Sequence, residues 1–352
     1  MNILILGASY GSLLSTKLLM AGHNVSLVCL PEEAELINAS GTEVRLKLRN
    51  ESEHRSIRST DLAGNLDAVT PDHADISRYD MIGLAMQEPQ YAAPEIKNLL
   101  TQIAQAGLPC LSIMNMPPLA YLKRIPSLAP LNLEGCYRDA SVWHHFDPAN
   151  VTLCSPDPQA FRPPEEQLNV LHVGLPTNFK AARFEKEEHQ AILNTLCQDI
   201  AAVRLDDQDV PVKLRVFDSL FVPMAKWSML LTGNYRAVTK NGVQSIRDAV
   251  HGDKNVSAEI YSYVDTLVQK IGGDITDAVP FEKYAKAAES LLKPSSAARA
   301  IDAGAVNIER VDRLVQTIGR EFGLEHPMVD QIVETVDARL RTNSEKAASE
   351  PA

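Results

Sequence analysis

The first twelve residues, Met1-Asn2-Ile3-Leu4-Ile5-Leu6-Gly7-Ala8-Ser9-Tyr10-Gly11-Ser12, constrain the fold more than any other stretch. The apolar run Ile3 to Leu6 is short and unbroken, as expected of a strand buried on both faces in a parallel sheet. Gly7 stops it. Leu13, Leu14, Leu18 and Leu19 then follow at helical spacing, and Gly22-His23 leads into a second strand-like run, Asn24 to Val28. Strand, tight turn, helix, strand is the opening unit of a dinucleotide-binding α/β fold. In such a unit a G-x-G-x-x-G loop lets the backbone approach a pyrophosphate at the helix N-terminus. The loop here is imperfect. Ser9 holds the third position, Ser12 the sixth, and Gly11 stands one place early. Gly7, Ser9, Tyr10, Gly11 and Ser12 are therefore the candidate cofactor-binding residues of this loop.

The alternation continues. Asp80 to Ala85 reads as a buried strand, Pro94 to Ala106 as the helix after it, and Pro109 to Asn115 as the next strand. Ligands of open parallel sheets collect at the carboxyl ends of strands, so Ala85 and Asn115 join Gly7 as candidates. Proline-rich residues 155–165 read as an inserted loop. From Val212 the patterns become helical, among them Ser257 to Ile271, Ala303 to Phe322 and Val329 to Leu340. The expected architecture is an α/β dinucleotide-binding domain over 1–211, a helical substrate and dimerisation domain over 212–342, and a disordered tail over 343–352. A cleft between the two domains is the natural place for chemistry.

Composition excludes several classes. Net charge is −11 and the basic residues do not cluster, which argues against nucleic acid as a partner. No apolar run approaches the ~18 residues that argue for a membrane span, and Ile3 to Leu6 lacks the basic flank and length of a signal peptide. Five scattered cysteines, an odd number without C-x-x-C, fit neither a disulfide scaffold nor a zinc site. No metal is expected. A reduced, cytoplasmic setting fits this usage.

The helical part supplies the chemical candidates. Lys226 lies among Val222, Met224, Trp227 and Met229. An apolar setting lowers a lysine pKa and suits it to proton transfer, while a stem packed along the helix is the plainer explanation. Positions 226, 230 and 234 are four apart and so share one helix face. His144 and His145 are adjacent and lack a third ligand at metal-site spacing, so structural roles are expected for them.

With these residues in place the chain resembles the ketopantoate reductase (2-dehydropantoate 2-reductase) family. The likeness rests on the opening strand and loop, Ala21-Gly22-His23-Asn24-Val25, Asn115-Met116-Pro117, Lys226 with Asn234, and Ser295-Ser296. It spans nearly the whole chain and lies in the order of the motifs rather than in any single one. It implies a Rossmann-type domain followed by a helical domain like the C-terminal domain of 6-phosphogluconate dehydrogenase. It implies NADP or NAD as cofactor, a small 2-oxo acid as substrate and a role in pantothenate biosynthesis; the oligomeric state stays open, with the apolar helix Ser257 to Ile271 as the face for a homodimer. It also makes Lys226 the general acid, Asn115 and Asn234 positioning residues, and Ser295 or Ser296 the holder of a substrate carboxylate.

Departures from the family pattern matter as well. The family's glutamate in the helical domain falls on Asn307. On the helix read over 303–322, Asn307 flanks the apolar stripe, whereas Glu309, about 200° further round, faces solvent and pairs with Arg313. Asn307 is thus the expected inward residue, and its neutral amide implies an altered substrate pocket. Leu30 and Pro31 stand where the family carries an arginine for a 2′-phosphate, followed by Glu32 and Glu33. Ala85 stands where it commonly carries a lysine. These losses make NAD at least as good a fit as NADP. Two further readings stay open: an opine-type or other dehydrogenase on the same plan, and a non-enzymatic nucleotide-binding protein.

Overall fold

A computed structural model describes residues 1–49 and 51–349. The chain divides into two compact units. The first comprises Met1–Met86, Gln90–Arg124 and Ser141–Pro223, and the second comprises Gln87–Pro89, Ile125–Ala140 and the chain from Met224 onward. The change of unit thus falls at 223/224 rather than at 211/212, and two short earlier stretches join the second unit.

The first unit is built on strands β1 (Asn2–Leu6), β2 (Asn24–Val28), β3 (Glu43–Leu46), β4 (Arg55–Arg58), β5 (Leu66–Val69), β6 (Met81–Leu84), β7 (Cys110–Ile113), β8 (Val151–Ser155), β9 (Gln159–Phe161), β10 (Val170–Leu175) and β11 (Phe179–Ala182), with a further strand Leu214–Phe217. Its main sheet runs Leu214–Phe217, β11, β8, β7, β6, β1, β2, β5. The six strands from β8 to β5 are parallel; β11 is antiparallel to β8 and parallel to Leu214–Phe217. Ile3, Leu4, Ile5 and Leu6 are fully buried at its centre. Chain order reverses between β1 and β6, which places the ligand crevice of such a sheet at their carboxyl ends.

Helices α1 (Ala8–Met20), α2 (Pro31–Ser40) and α3 (Pro94–Ala106) join these strands. A second sheet, β4-β3-β10-β9, packs against α1. The helix is consequently buried nearly all round, including Ser15, Thr16 and Lys17. The Lys17 ammonium, fully buried, donates to the Pro211 carbonyl at 2.9 Å. Burial lowers its pKa to about 7, Lys213 adding to the fall and Asp209 opposing it.

Three sequence expectations change. Residues 155–165 are not a plain loop: β9 within them pairs antiparallel with β10. Val212 does not open a helix; Leu214 and the alternately exposed residues after it form a strand, and the helical run begins with a 3-10 turn at Val222–Ala225 and turns α-helical at Lys226. Residues 343–349 continue the helix Pro327–Ser349, with Asn343 donating to the carbonyls of Ile301 and Ala305, so they are not a frayed tail. Residues 350–352 lie outside the described residues. Among the described residues the regular structure of the second unit is otherwise helical, with one two-residue hairpin, Val238–Thr239 with Gly242–Val243. Among the described residues no helix is long and apolar enough to cross a membrane, no metal-ligand cluster occurs, and the five cysteines are free thiols.

Candidate functional site

In the first unit the turn after β1 is a single residue. Gly7 has φ +102°, and α1 begins at Ala8. A Cβ on Gly7 would stand 2.7 Å from Met86 Cγ and 2.9 Å from the Ala85 carbonyl oxygen. Only glycine fits, because both the dihedral and the backbone of the neighbouring strand end forbid a side chain. A Cβ on Gly11 would lie 2.7 Å from Ile5 Cγ2, so this glycine lets α1 press onto β1. The apparent misplacement of Gly11 is thus a shortened loop that keeps the turn glycine and the packing glycine.

The groups between them are arranged for an anion. The first turn of α1 has neither a side-chain cap nor an acidic residue. Its leading N–H groups and the positive end of the helix are available. Ser9 is exposed and Ser12 is buried, its hydroxyl turned back onto the Ala8 carbonyl. Tyr10 points to the inserted segment, donating to the Pro158 carbonyl at 2.6 Å. These residues fit a dinucleotide's pyrophosphate, held by backbone rather than by side chains. Ala85 is 8% exposed and its N–H donates to the Leu6 carbonyl, while Asn115 lies half-buried beyond the end of β7, beside β6.

At the end of β2, Leu30 is exposed and Pro31 starts α2. Glu33 is buried and takes a hydrogen bond from Arg162, the residue just after β9. The sequence marked Arg162 only as part of a loop. No local signal could have paired residues 129 positions apart.

In the second unit Lys226 is half-buried and begins a short α-helical turn, Lys226–Met229, that widens into a π-helix, Leu230–Tyr235. Such widening is uncommon and recurs at functional sites. Gly233 permits it: a Cβ there would stand 2.1 Å from the Tyr284 hydroxyl, which donates to the Met229 carbonyl at 3.1 Å. The changed winding means that 226, 230 and 234 do not keep the strict face that a four-residue spacing implies. Leu230 is buried, whereas Asn234 is half-buried. The Asn234 carbonyl accepts from Ser295 Oγ at 2.7 Å. Ser295 also caps the helix Ser296–Asp302 by accepting from the Ala298 N–H, so its hydroxyl is committed to structure; Ser296 is exposed.

The assignment at 307 and 309 reverses. Residues 305–310 are not helical, and the helix starts at Val311. Asn307 is exposed, while Glu309 is half-buried, and its Oε1 accepts from the Glu88 N–H at 3.4 Å. Arg313 pairs instead with Asp337 at 2.6 Å. A 200° step between 307 and 309 holds only in a regular helix, and residues 305–310 are not helical. With it goes the inference of an altered pocket from an inward Asn307. Glu88 was missed altogether. It is 2% exposed, and its carboxyl accepts from the Arg138 N–H at 2.9 Å. Burial pushes its pKa up to about 7, with Glu309 contributing repulsion and the Arg138 and Asp139 N–H groups opposing the rise. A signal existed in the sequence, an acid three residues beyond a strand end, but nothing there showed its burial. His144 and His145 are both exposed.

No family model matches the sequence, and no curated protein is similar to it in sequence. Solved structures match it from end to end. A candidate ketopantoate reductase from Ralstonia solanacearum MolK2 is 15% identical, covers 97% of this chain and 98% of its own, and has a TM-score of 0.70. The 2-dehydropantoate 2-reductase of Methylococcus capsulatus is 14% identical, with coverage of 100% and 99% and a TM-score of 0.68. A D-mandelate dehydrogenase, solved with NADH and anilino(oxo)acetate, is 13% identical, with coverage of 98% and 100% and a TM-score of 0.64. The chain therefore has the fold of the ketopantoate reductases, an α/β domain with a large parallel sheet and a helical domain.

Proposed function

We propose that this protein is an NAD(P)-dependent oxidoreductase that reduces the carbonyl of a small 2-oxo acid. The observation that carries the reading is the turn at Gly7. It is a one-residue turn only glycine can make, at the switch point of a parallel sheet, opening onto an uncapped helix N-terminus. The neighbouring structures support the class, since they are reductases and a dehydrogenase, one of them holding NADH.

A bound nicotinamide dinucleotide supplies the hydride. The chain's own groups do the rest. Backbone N–H groups of the first turn of α1 hold the pyrophosphate. Asn115, at a strand end of the same unit, offers an amide to orient the nicotinamide ring. Lys226 holds the proton that the carbonyl oxygen takes up, and its charge stabilises the alkoxide as it develops. Asn234 offers a second donor to the substrate, and Ser296 is the exposed member of the serine pair for its carboxylate. Homodimerisation belongs to the same proposal and is read by light scattering.

The test is a titration of the protein with NADH and NADPH, followed by cofactor fluorescence. Binding of neither sinks the reading. Lys226→Ala is expected to lower kcat by roughly 100-fold or more, as for loss of a general acid, with cofactor affinity nearly intact. Equal turnover in that variant refutes the acid role. An absolute requirement for an added amino acid would instead identify an opine-type condensation.

A further inference from the structure

In a fold of this type the adenosine ribose lies beyond the second strand. There an acidic residue receives a free 2′-hydroxyl, or an arginine receives a 2′-phosphate. Residues 29–33, Cys29-Leu30-Pro31-Glu32-Glu33, contain no base. The first unit brings one from far along the chain. Arg162, next after β9, lays its guanidinium on the Glu33 carboxylate. Its side chain is 23% exposed against 10% for Glu33, so the cation is the outer member of the pair. Glu33 and Arg162 both act on the Cys29 thiol, the one raising and the other lowering its pKa while burial dominates. The three side chains therefore form one cluster at the end of β2.

The inserted segment is held at a second point. Tyr10, in the first turn of α1, donates to the Pro158 carbonyl at 2.6 Å and sets its ring edge-on to Phe179 at 6.0 Å. Residues 158–162 thus run from the start of α1 to the start of α2. A dinucleotide follows that path from pyrophosphate to adenosine. Pro163 and Pro164 follow Arg162 at once and restrict the backbone behind it.

We infer that Arg162 binds the 2′-phosphate of NADPH and makes this protein prefer NADPH to NADH; the inference rests on the dinucleotide reading of the Gly7 turn. A guanidinium carries five N–H donors in a rigid fork. Among the described residues Glu33 is its one hydrogen-bond acceptor, through a single oxygen. Donors remain for a phosphate, which arginine takes in paired hydrogen bonds. Glu33 holds the side chain in position until a phosphate arrives, and it competes with that phosphate afterwards. The charge absent from residues 29–33 is restored by an insertion rather than by the strand end itself.

The full-length protein is titrated with NADPH and with NADH, and the ratio of the two Kd values is compared among variants. The wild type is expected to bind NADPH more tightly. Arg162→Gln is expected to weaken NADPH by roughly 10- to 100-fold, the range for hydrogen bonds to a charged group, with NADH changed little. Glu33→Gln releases the guanidinium and is expected to shift the ratio further toward NADPH. A wild type that prefers NADH, or an unchanged ratio in Arg162→Gln, overturns this inference and leaves the dinucleotide reading standing. Should Arg162→Gln not fold, an unchanged ratio in Glu33→Gln overturns it equally. Binding of neither dinucleotide overturns both.

Discussion

Glu88→Gln should change how the protein's stability depends on pH. Glu88 is almost fully buried, close to a second carboxylate, and its pKa is about 7 against an ordinary 4.5. Below about pH 4.5 the group is protonated whether the chain is folded or not, and costs nothing. Between 4.5 and 7 the unfolded chain releases this proton while the folded chain keeps it, so stability falls as pH rises. Above 7 the folded group ionises too and the loss levels off. At ~1.36 kcal/mol per pH unit the gap is worth ~3 kcal/mol. Glutamine keeps an acceptor for the Arg138 N–H and cannot ionise. The stability difference, variant minus wild type, should therefore grow by ~2–3 kcal/mol from pH 4.5 to pH 7.5. Reading the change with pH removes any constant offset from the fit of the amide. Urea unfolding followed by far-ultraviolet circular dichroism at a series of pH values measures it. A difference that stays flat across that interval refutes the burial argument.

Other expectations follow from the same packing. Lys17, with its pKa lowered to about 7, binds its proton less tightly folded than unfolded, so wild-type stability should rise between pH 7 and 10.5. Lys17→Met should abolish that rise and gain a few kcal/mol, about the low end of what one buried charge costs, at pH 6; unfolding at pH 6 and pH 9 tests both. Gly11→Ala drives a Cβ to 2.7 Å from Ile5 Cγ2. It should cost ~1–3 kcal/mol and weaken dinucleotide binding, read by thermal melting and by the same fluorescence titration.

Much of the architecture was legible in the sequence because it is local. Ile3 to Leu6 is a central parallel strand because every side chain in it is apolar, and Gly7 is a turn because nothing else can follow such a strand so tightly. Periodicity records burial where conformation is regular, and it served for α3 and for the helix Lys254–Lys270. It misled at 303–310, where a 100° step was imposed on residues that are not helical, and Asn307 and Glu309 exchanged places. It was blind to the π-helix at Leu230–Tyr235, which depends on the Tyr284 hydroxyl arriving from another helix.

The sequence by itself thus determined the opening strand, turn and helix and the order of the elements, since these depend on neighbours within a few residues. Tertiary structure alone decided that Glu309 lies against Glu88, that Lys17 is buried against the Pro211 carbonyl, and that Arg162 reaches Glu33. Each of these joins residues far apart in the chain. Their energies come from burial and charge, which exist only once topology has brought the partners together and excluded water.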